Sequence, residues 1–210
     1  MSIIVIPTMI FMPISGPVAE IIGRKPTLII GQIFILLGWT ILYFAKQFYM
    51  LLIGRFLIGV GTGICLPLTI IFNSEIALVK MRGILSMISS LTIHIGAICS
   101  LLIATTFSLE VLIILSSIPS IIFLGFSIFL PESPVWLMRK GRTESAKKAL
   151  LTLRGSRYDM NLEIQELQEL VDSQDDSNFF EKVTELKSRN NAIPLIIMAI
   201  FMMLQVKRMK

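Results

Sequence analysis

Three short stretches concentrate the residues able to do chemistry. GPVAEIIGRKP (16–26) sets Glu20, Arg24 and Lys25 between Gly16 and Gly23. SEIALVKMRG (74–83) sets Glu75 against Arg82, and PESPVWL (131–137) offers Glu132. These residue types form charge-assisted hydrogen bonds, and no nucleophile stands beside a base. Glu20 and Arg24, four apart, share a helix face if the turn continues that far. Gly16 and Gly23 would let neighbouring backbones approach closely. Opposite charges drawn together at a partly dry rim would hold it shut, and separating them would open it: a bistable element. Interfacial anchoring is the plain alternative for any charge at a helix end, and the favoured one for Arg55.

The elements that must carry these clusters follow from composition. The chain is 54% hydrophobic and 16% charged, with mean hydropathy +0.80. Of its 14 acidic residues, eleven lie within 131–193, leaving Glu20, Glu75 and Glu110 for the rest. A crossing of the hydrocarbon core takes about 20 apolar residues. Residues 2–19, 27–45, 49–74, 84–109 and 111–130 qualify; the third contains only Arg55 as a charge, and the fourth holds no acid, lysine or arginine and only the lone His94. A sixth apolar run starts at Ala192 and stops after Gln205. The expectation is an all-α, polytopic membrane helix bundle of five spans. Residues 1–130 form the membrane region, 131–193 a cytoplasmic helical segment, and 194–210 a stub with a basic tail. A signal peptide does not fit the first run, which lacks a basic start and a small-x-small cleavage site.

Bases alternate along the short loops. Arg24 and Lys25, then Lys46 alone, then Lys80 and Arg82, then none, then Arg139, Lys140 and Arg142. The positive-inside rule puts Gly23, Lys80 and Pro131 in the cytoplasm, so the first span runs inward and a preceding helix is expected. In the solvated segment Pro134 suits a first helical turn, and Ala146, Ala149, Leu150 and Leu153 fall at helical spacing up to Gly155. Short amphipathic stretches are expected around Leu162–Leu170 and Phe179–Leu186. Ten bases and eleven acids nearly cancel here, as on helices lying against a bundle.

Other readings fall away. DSQDDS (172–177) lacks the Gly and bidentate Glu of a calcium loop. GVGTG (59–63) lies inside an apolar helix with no strand before it, so close packing through Gly59 and Gly63 replaces nucleotide binding. Cys65 and Cys99 sit within spans as small hydrophobes. His94, mid-span with no acid in its own helix, reads as a neutral, hydrogen-bonded packing residue, with a proton-coupling role as the functional alternative. The +5 charge comes with no basic-aromatic module for nucleic acid. No metal cluster, cofactor motif or enzyme is expected.

GPVAEIIGRKP resembles the loop signature of the major facilitator superfamily. GRFLIGVGTG (54–63), the Glu75…Arg82-Gly83 pair and PESPVWL together resemble its sugar-porter branch. With KGRTESAKKALLTLRGSRYD (140–159) the stretch is similar to facilitated trehalose transporter-like proteins. The resemblance runs from about Ser2 to Gln205 and implies the second to sixth helices, the intracellular helices and the start of the seventh, in a twelve-helix rocker-switch carrier. It implies a gate of Gly16, Glu20, Gly23, Arg24 and Lys25, and a cytoplasmic charge network of Glu75, Arg82 and Glu132. Gln205 falls at the first of two sugar-binding glutamines, and Ser90 where many sugar porters have a ligand-binding glutamine. The departures are Glu20 for Asp, Val135 for a basic residue, Leu78 for proline, and VKRMK after Gln205. The first helix and second half are absent. The implied function is cofactor-free facilitative transport of a sugar of the trehalose or glucose class in the plasma membrane, by a fragment inactive alone. The alternative is a non-transporting, degenerate membrane protein or partner half-subunit, completed by a second copy or a separate C-terminal half.

Overall fold

The computed structural model describes residues 2–77 and 81–154, with positions 164, 167 and 168 beyond them. The chain divides into Met1–Asn161 and Leu162–Lys210; the three described positions of the second unit are helical. In the first unit the order is α1 (Ser2–Ile22), α2 (Arg24–Tyr43), α3 (Phe48–Ile76), α4 (Arg82–Thr106), α5 (Leu109–Ser127), α6 (Pro134–Arg139) and α7 (Thr143–Arg154). The five long helices are each long and apolar enough to cross a membrane. The expected all-α, multi-pass architecture is thus observed. The stretches expected around 162–170 and 179–186, and the stub at 194–210, lie outside the described residues apart from the isolated positions above.

Helices associate in lipid by close packing, because the hydrocarbon around them is as apolar as their side chains. Small residues on α3 supply that packing. Gly59 and Gly63, one turn apart, take α1: an added Cβ would lie 2.5 Å from Pro7 Cγ and 2.8 Å from the Thr8 carbonyl respectively. Gly61 and Gly54, on another face, meet Gly31 and Gly38 of α2, where a Cβ on Gly38 would lie 2.7 Å from Gly54 O. GVGTG is therefore a two-sided packing surface, as its position in an apolar helix predicts. Thr8 adds a hydrogen bond, its hydroxyl lying 3.0 Å from Gly59 O. Where α1, α2 and α3 converge, Ala19, Leu28, Cys65, Leu68 and Phe72 form the buried core, with Phe123 of α5 against it.

Gly23 alone separates α1 from α2. Its φ of +116° is a backbone region that disfavours any residue with a Cβ. Its N–H still closes α1 on Ala19 O at 3.1 Å. Beyond α5, Pro134 opens α6 at the first turn and Ser133 caps it, its hydroxyl accepting from Trp136 N at 3.3 Å. Gly141, at φ +70°, ends α6, and Arg142 N bonds back to Leu137 O at 2.9 Å. On α7, Ala146, Ala149 and Leu150 are buried as their spacing predicts.

Helix α4 differs from its neighbours: none of its residues is buried. A side-chain hydrogen bond ties it to α3, Asn73 Nδ2 donating to Ser89 Oγ at 2.9 Å. His94, expected to pack between helices, is exposed on α4, its Nδ1 2.7 Å from Ser90 O.

Replacing Gly61 by Val should lower the apparent Tm in detergent, by an overpacking cost of about 1–3 kcal/mol. Gly96→Ala, which meets open space, should leave Tm unchanged or raise it slightly. Equal effects in thermal unfolding would contradict glycine-mediated packing.

Candidate functional site

The three charged clusters, far apart in sequence, meet at one end of the bundle. Their hub is Arg24, the first residue of α2, which is 3% exposed. Its Nε lies 3.2 and 3.1 Å from the two carboxylate oxygens of Glu75, at the end of α3, and its Nη2 is 3.0 Å from Glu75 Oε1. The same Nη2 donates to Glu20 Oε1 at 2.8 Å, and Nη1 donates to Ala19 O at 3.1 Å. The guanidinium therefore binds α1 and α3 at once. Leaving a buried charge unpaired costs several kcal/mol, whereas here its donors face two carboxylates and a carbonyl.

Glu132 works on the same junction through the backbone. Its Oε1 accepts from Arg24 N, Lys25 N and Ser133 N, each at 3.0 Å. The first two are unpaired N–H groups at the start of α2, whose own N-cap, Gly23, supplies no side chain. A residue 108 positions away thus caps a 20-residue helix with a carboxylate, which its dipole favours. Gly23 is required here twice: for its φ, and because a Cβ would stand 2.5 Å from Glu132 Oε2. Lys25 Nζ reaches back to Ile128 O at 3.2 Å, joining α2 to the end of α5.

Glu20 receives a second cation. Arg139 Nη1 donates to Glu20 Oε1 at 3.0 Å, and Trp136 Nε1 donates to the Glu20 carbonyl at 3.0 Å. α6 is thereby fastened beneath α1. Trp136 lies within PESPVWL without being singled out there, and Arg139 serves in the sequence only to orient the chain.

Of the expected site residues, the structure brings together Glu20, Gly23, Arg24, Lys25, Glu75 and Glu132. The Glu20–Arg24 pair forms although the helix breaks between them. Gly16 faces open space, so the close approach expected there does not occur. Arg82 stands outside the cluster, its Nε buried with no hydrogen-bond partner among the described residues. Ser90 lies exposed on α4, and Gln205 lies outside the described residues. Among the described residues, no group of three or more His, Cys, Asp or Glu could hold a metal ion.

Five apolar spans tied at one end by ion pairs around a buried guanidinium define a multi-pass helical membrane protein. Its fold is part of the major-facilitator fold. The xylose symporter XylE bound to 6-bromo-6-deoxy-D-glucose superposes with a TM-score of 0.68 at 22% identity, covering 82% of this chain and 42% of that one. XylE from E. coli in an inward-open conformation gives 0.68 at 23% identity, covering 84% and 45%. Residues 1–207 match the family described as "Sugar (and other) transporter", and the chain belongs to that family. Sugar transporter ERD6-like 6 of Arabidopsis thaliana is 34% identical over 183 residues, 87% of this chain and 37% of that protein. ERD6-like 7 of the same plant is 36% identical over 160 residues, 76% and 34% respectively. The chain spans little more than a third of the length of these relatives.

Substituting Arg24→Met leaves Glu75, whose side chain is 11% exposed, without its partner. The expected loss is about 3–5 kcal/mol. Arg24→Met with Glu75→Leu should recover most of it, because removing both charges removes the desolvation cost. Thermal unfolding of the single and double variants checks this; an equally unstable double variant contradicts the pairing.

Proposed function

We propose that α1 to α5 are the second to sixth helices of a sugar carrier that works by alternating access, with the Arg24 cluster latching its cytoplasmic end. Family membership supports a sugar as substrate. The observation that carries the latch is the buried Arg24 guanidinium, held by Glu75 and Glu20 from two other helices. An array of charges that must be paired while buried, and can be solvated when apart, has two stable arrangements. Glu20, Gly23, Arg24, Lys25, Glu75 and Glu132 form this gate in its paired state, and Arg139 joins them; Gly16 and Arg82, outside the paired cluster, are assigned to it by the family resemblance alone. Ser90 and Gln205 contact the sugar. In this reading transport is facilitative, cofactor-free, of a trehalose- or glucose-class sugar, and in the plasma membrane. Residues 131–193 lie in the cytoplasm, and 194–210 start the seventh helix.

A second observation bears on the 210-residue chain taken alone. A midplane binding site needs walls from both halves of such a carrier, and α4 presents a helix with no buried residue. The chain by itself therefore moves no sugar, and a second copy or a separate C-terminal half completes the path. Uptake of labelled trehalose or glucose into liposomes holding only this chain, above empty vesicles, would sink that statement.

The latch is tested at Ala77, buried beside the end of α3. A cysteine there, with Cys65 and Cys99 replaced by serine, should react slowly with a charged maleimide. Adding Glu75→Gln should raise the rate about tenfold, the factor that 1.4 kcal/mol is worth. Equal rates would count against the latch.

A further inference from the structure

The α6–α7 hairpin carries a charge imbalance that the Arg24 cluster does not absorb. From Arg139 to Lys148 stand five bases, Arg139, Lys140, Arg142, Lys147 and Lys148, against one acid, Glu144. Arg139 is taken by Glu20, and Lys147 Nζ lies 3.2 Å from Glu144 Oε1. Lys140, Arg142 and Lys148 are exposed and form no ion pair among the described residues. Three cations are left over on one short segment.

Where that segment sits follows from its tethers. Glu132, just before α6, accepts from the backbone N–H groups of Arg24 and Lys25 at 3.0 Å. Arg139, the last residue of α6, donates to Glu20 at 3.0 Å, and Trp136 donates to the Glu20 carbonyl. Both ends of α6 are thus pinned to the α1–α2 junction, so the helix lies across the end of the bundle and does not lead away from it. The turn that follows folds back on α6, Arg142 N bonding Leu137 O at 2.9 Å, and keeps to the same level. The apolar spans α1 and α2 meet at this junction, between Ile22 and Arg24. The polar headgroup layer, about 5–8 Å deep on each side of the hydrocarbon core, begins there. The bases of the turn therefore stand at headgroup depth.

Apolar side chains mark the same boundary. Phe126, Ile128 and Phe129, at the end of α5, are 70%, 75% and 79% exposed. Lys25 Nζ bonds the Ile128 carbonyl and so sets this rim beside the junction. On α7, burial of Ala146, Ala149 and Leu150 turns Lys148 outward, and Leu151 beside it is 39% exposed. Solvation alone would suit unpaired bases on any loop; here the tethers hold them level with the bilayer surface.

We propose that Lys140, Arg142 and Lys148 form a docking surface for the headgroups of anionic phospholipids in the leaflet at the Arg24 end. Clustered bases directly beyond a membrane helix attract such lipids, each base contributing a preference of about fivefold. The attraction fades beyond about 8 Å at physiological salt, so only bases held at headgroup depth take part. Because α6 carries Arg139 to Glu20, the bound lipid also steadies the α6 side of the charge cluster. The surface requires membrane insertion only and does not depend on a sugar being the substrate.

The test uses the full chain with Cys65 and Cys99 replaced by serine and a fluorophore on Thr152→Cys, one helical turn from Lys148. The protein is placed in nanodiscs of phosphatidylcholine with increasing phosphatidylserine, and quenching by neutral acrylamide is read. Shielding should rise with phosphatidylserine to a plateau and be lost in high salt. Arg142→Gln and Lys148→Gln should each raise the phosphatidylserine needed for half-shielding about fivefold. Lys46→Gln, at the opposite end of the bundle, should leave it unchanged. All three side chains are exposed, so thermal unfolding should match the parent. Quenching that ignores phosphatidylserine, or shielding that the Arg142 and Lys148 variants share with the parent, overturns the proposal. Equal shielding by soluble glycerophosphoserine in phosphatidylcholine nanodiscs assigns the bases to a free anion and overturns the membrane surface.

Discussion

A guanidinium buried where three membrane helices converge sets the terms for everything near it. Arg24 cannot stay charged and dry without partners, and isolated burial of such an ion costs far more than one hydrogen bond returns. α3 must therefore end with Glu75 within reach, and α1 must place Glu20 and the Ala19 carbonyl beside it. The glycine contacts along α3 make this possible, since they bring the three helix axes close enough for side chains at their ends to meet. Packing in the apolar span and pairing at its end are one constraint: widening the α2–α3 contact would draw Glu75 away from Arg24.

Glu132 extends that constraint to the segment after α5. Its carboxylate is spent on backbone N–H groups, unlike Glu20 and Glu75, so its role is to hold the start of α2 in place while Arg24 does the pairing. Ser133, Pro134 and Trp136 then shape α6 so that Arg139 reaches Glu20. The result is a chain of contacts from α3 through α2 and α1 to α6, each link a charge or a helix end that water would otherwise solvate. In the proposed carrier such a set alternates between a paired and a separated, solvated arrangement, the property a gate requires.

Much of this was legible in the sequence. Five spans follow from apolar length alone, and helical spacing predicts both the Glu20–Arg24 pair and the buried face of α7. Gly59 and Gly63 read correctly because a glycine pair one turn apart in an apolar helix has few uses besides close packing. What the sequence hides is pairing across distance. Arg24 and Glu75 are 51 residues apart, and nothing local distinguishes Glu75's true partner from Arg82, which is nearer in the chain. Glu132 is hidden for another reason: its partners are backbone groups, which every residue carries. His94 shows the limit from the opposite side. Its hydrogen bond, to its own helix, was foreseeable, whereas its exposure depends on which face of α4 the Asn73–Ser89 contact selects.

The claim that Arg24 holds these helix ends together is tested most directly by hydrogen–deuterium exchange in nanodiscs, comparing the parent with Arg24→Gln. The account predicts faster exchange at residues 19–25 and 73–77, with no change at 44–50 on the opposite end of α2 and α3. Unchanged exchange at both ends, or a rise spread evenly through all five spans, would contradict it.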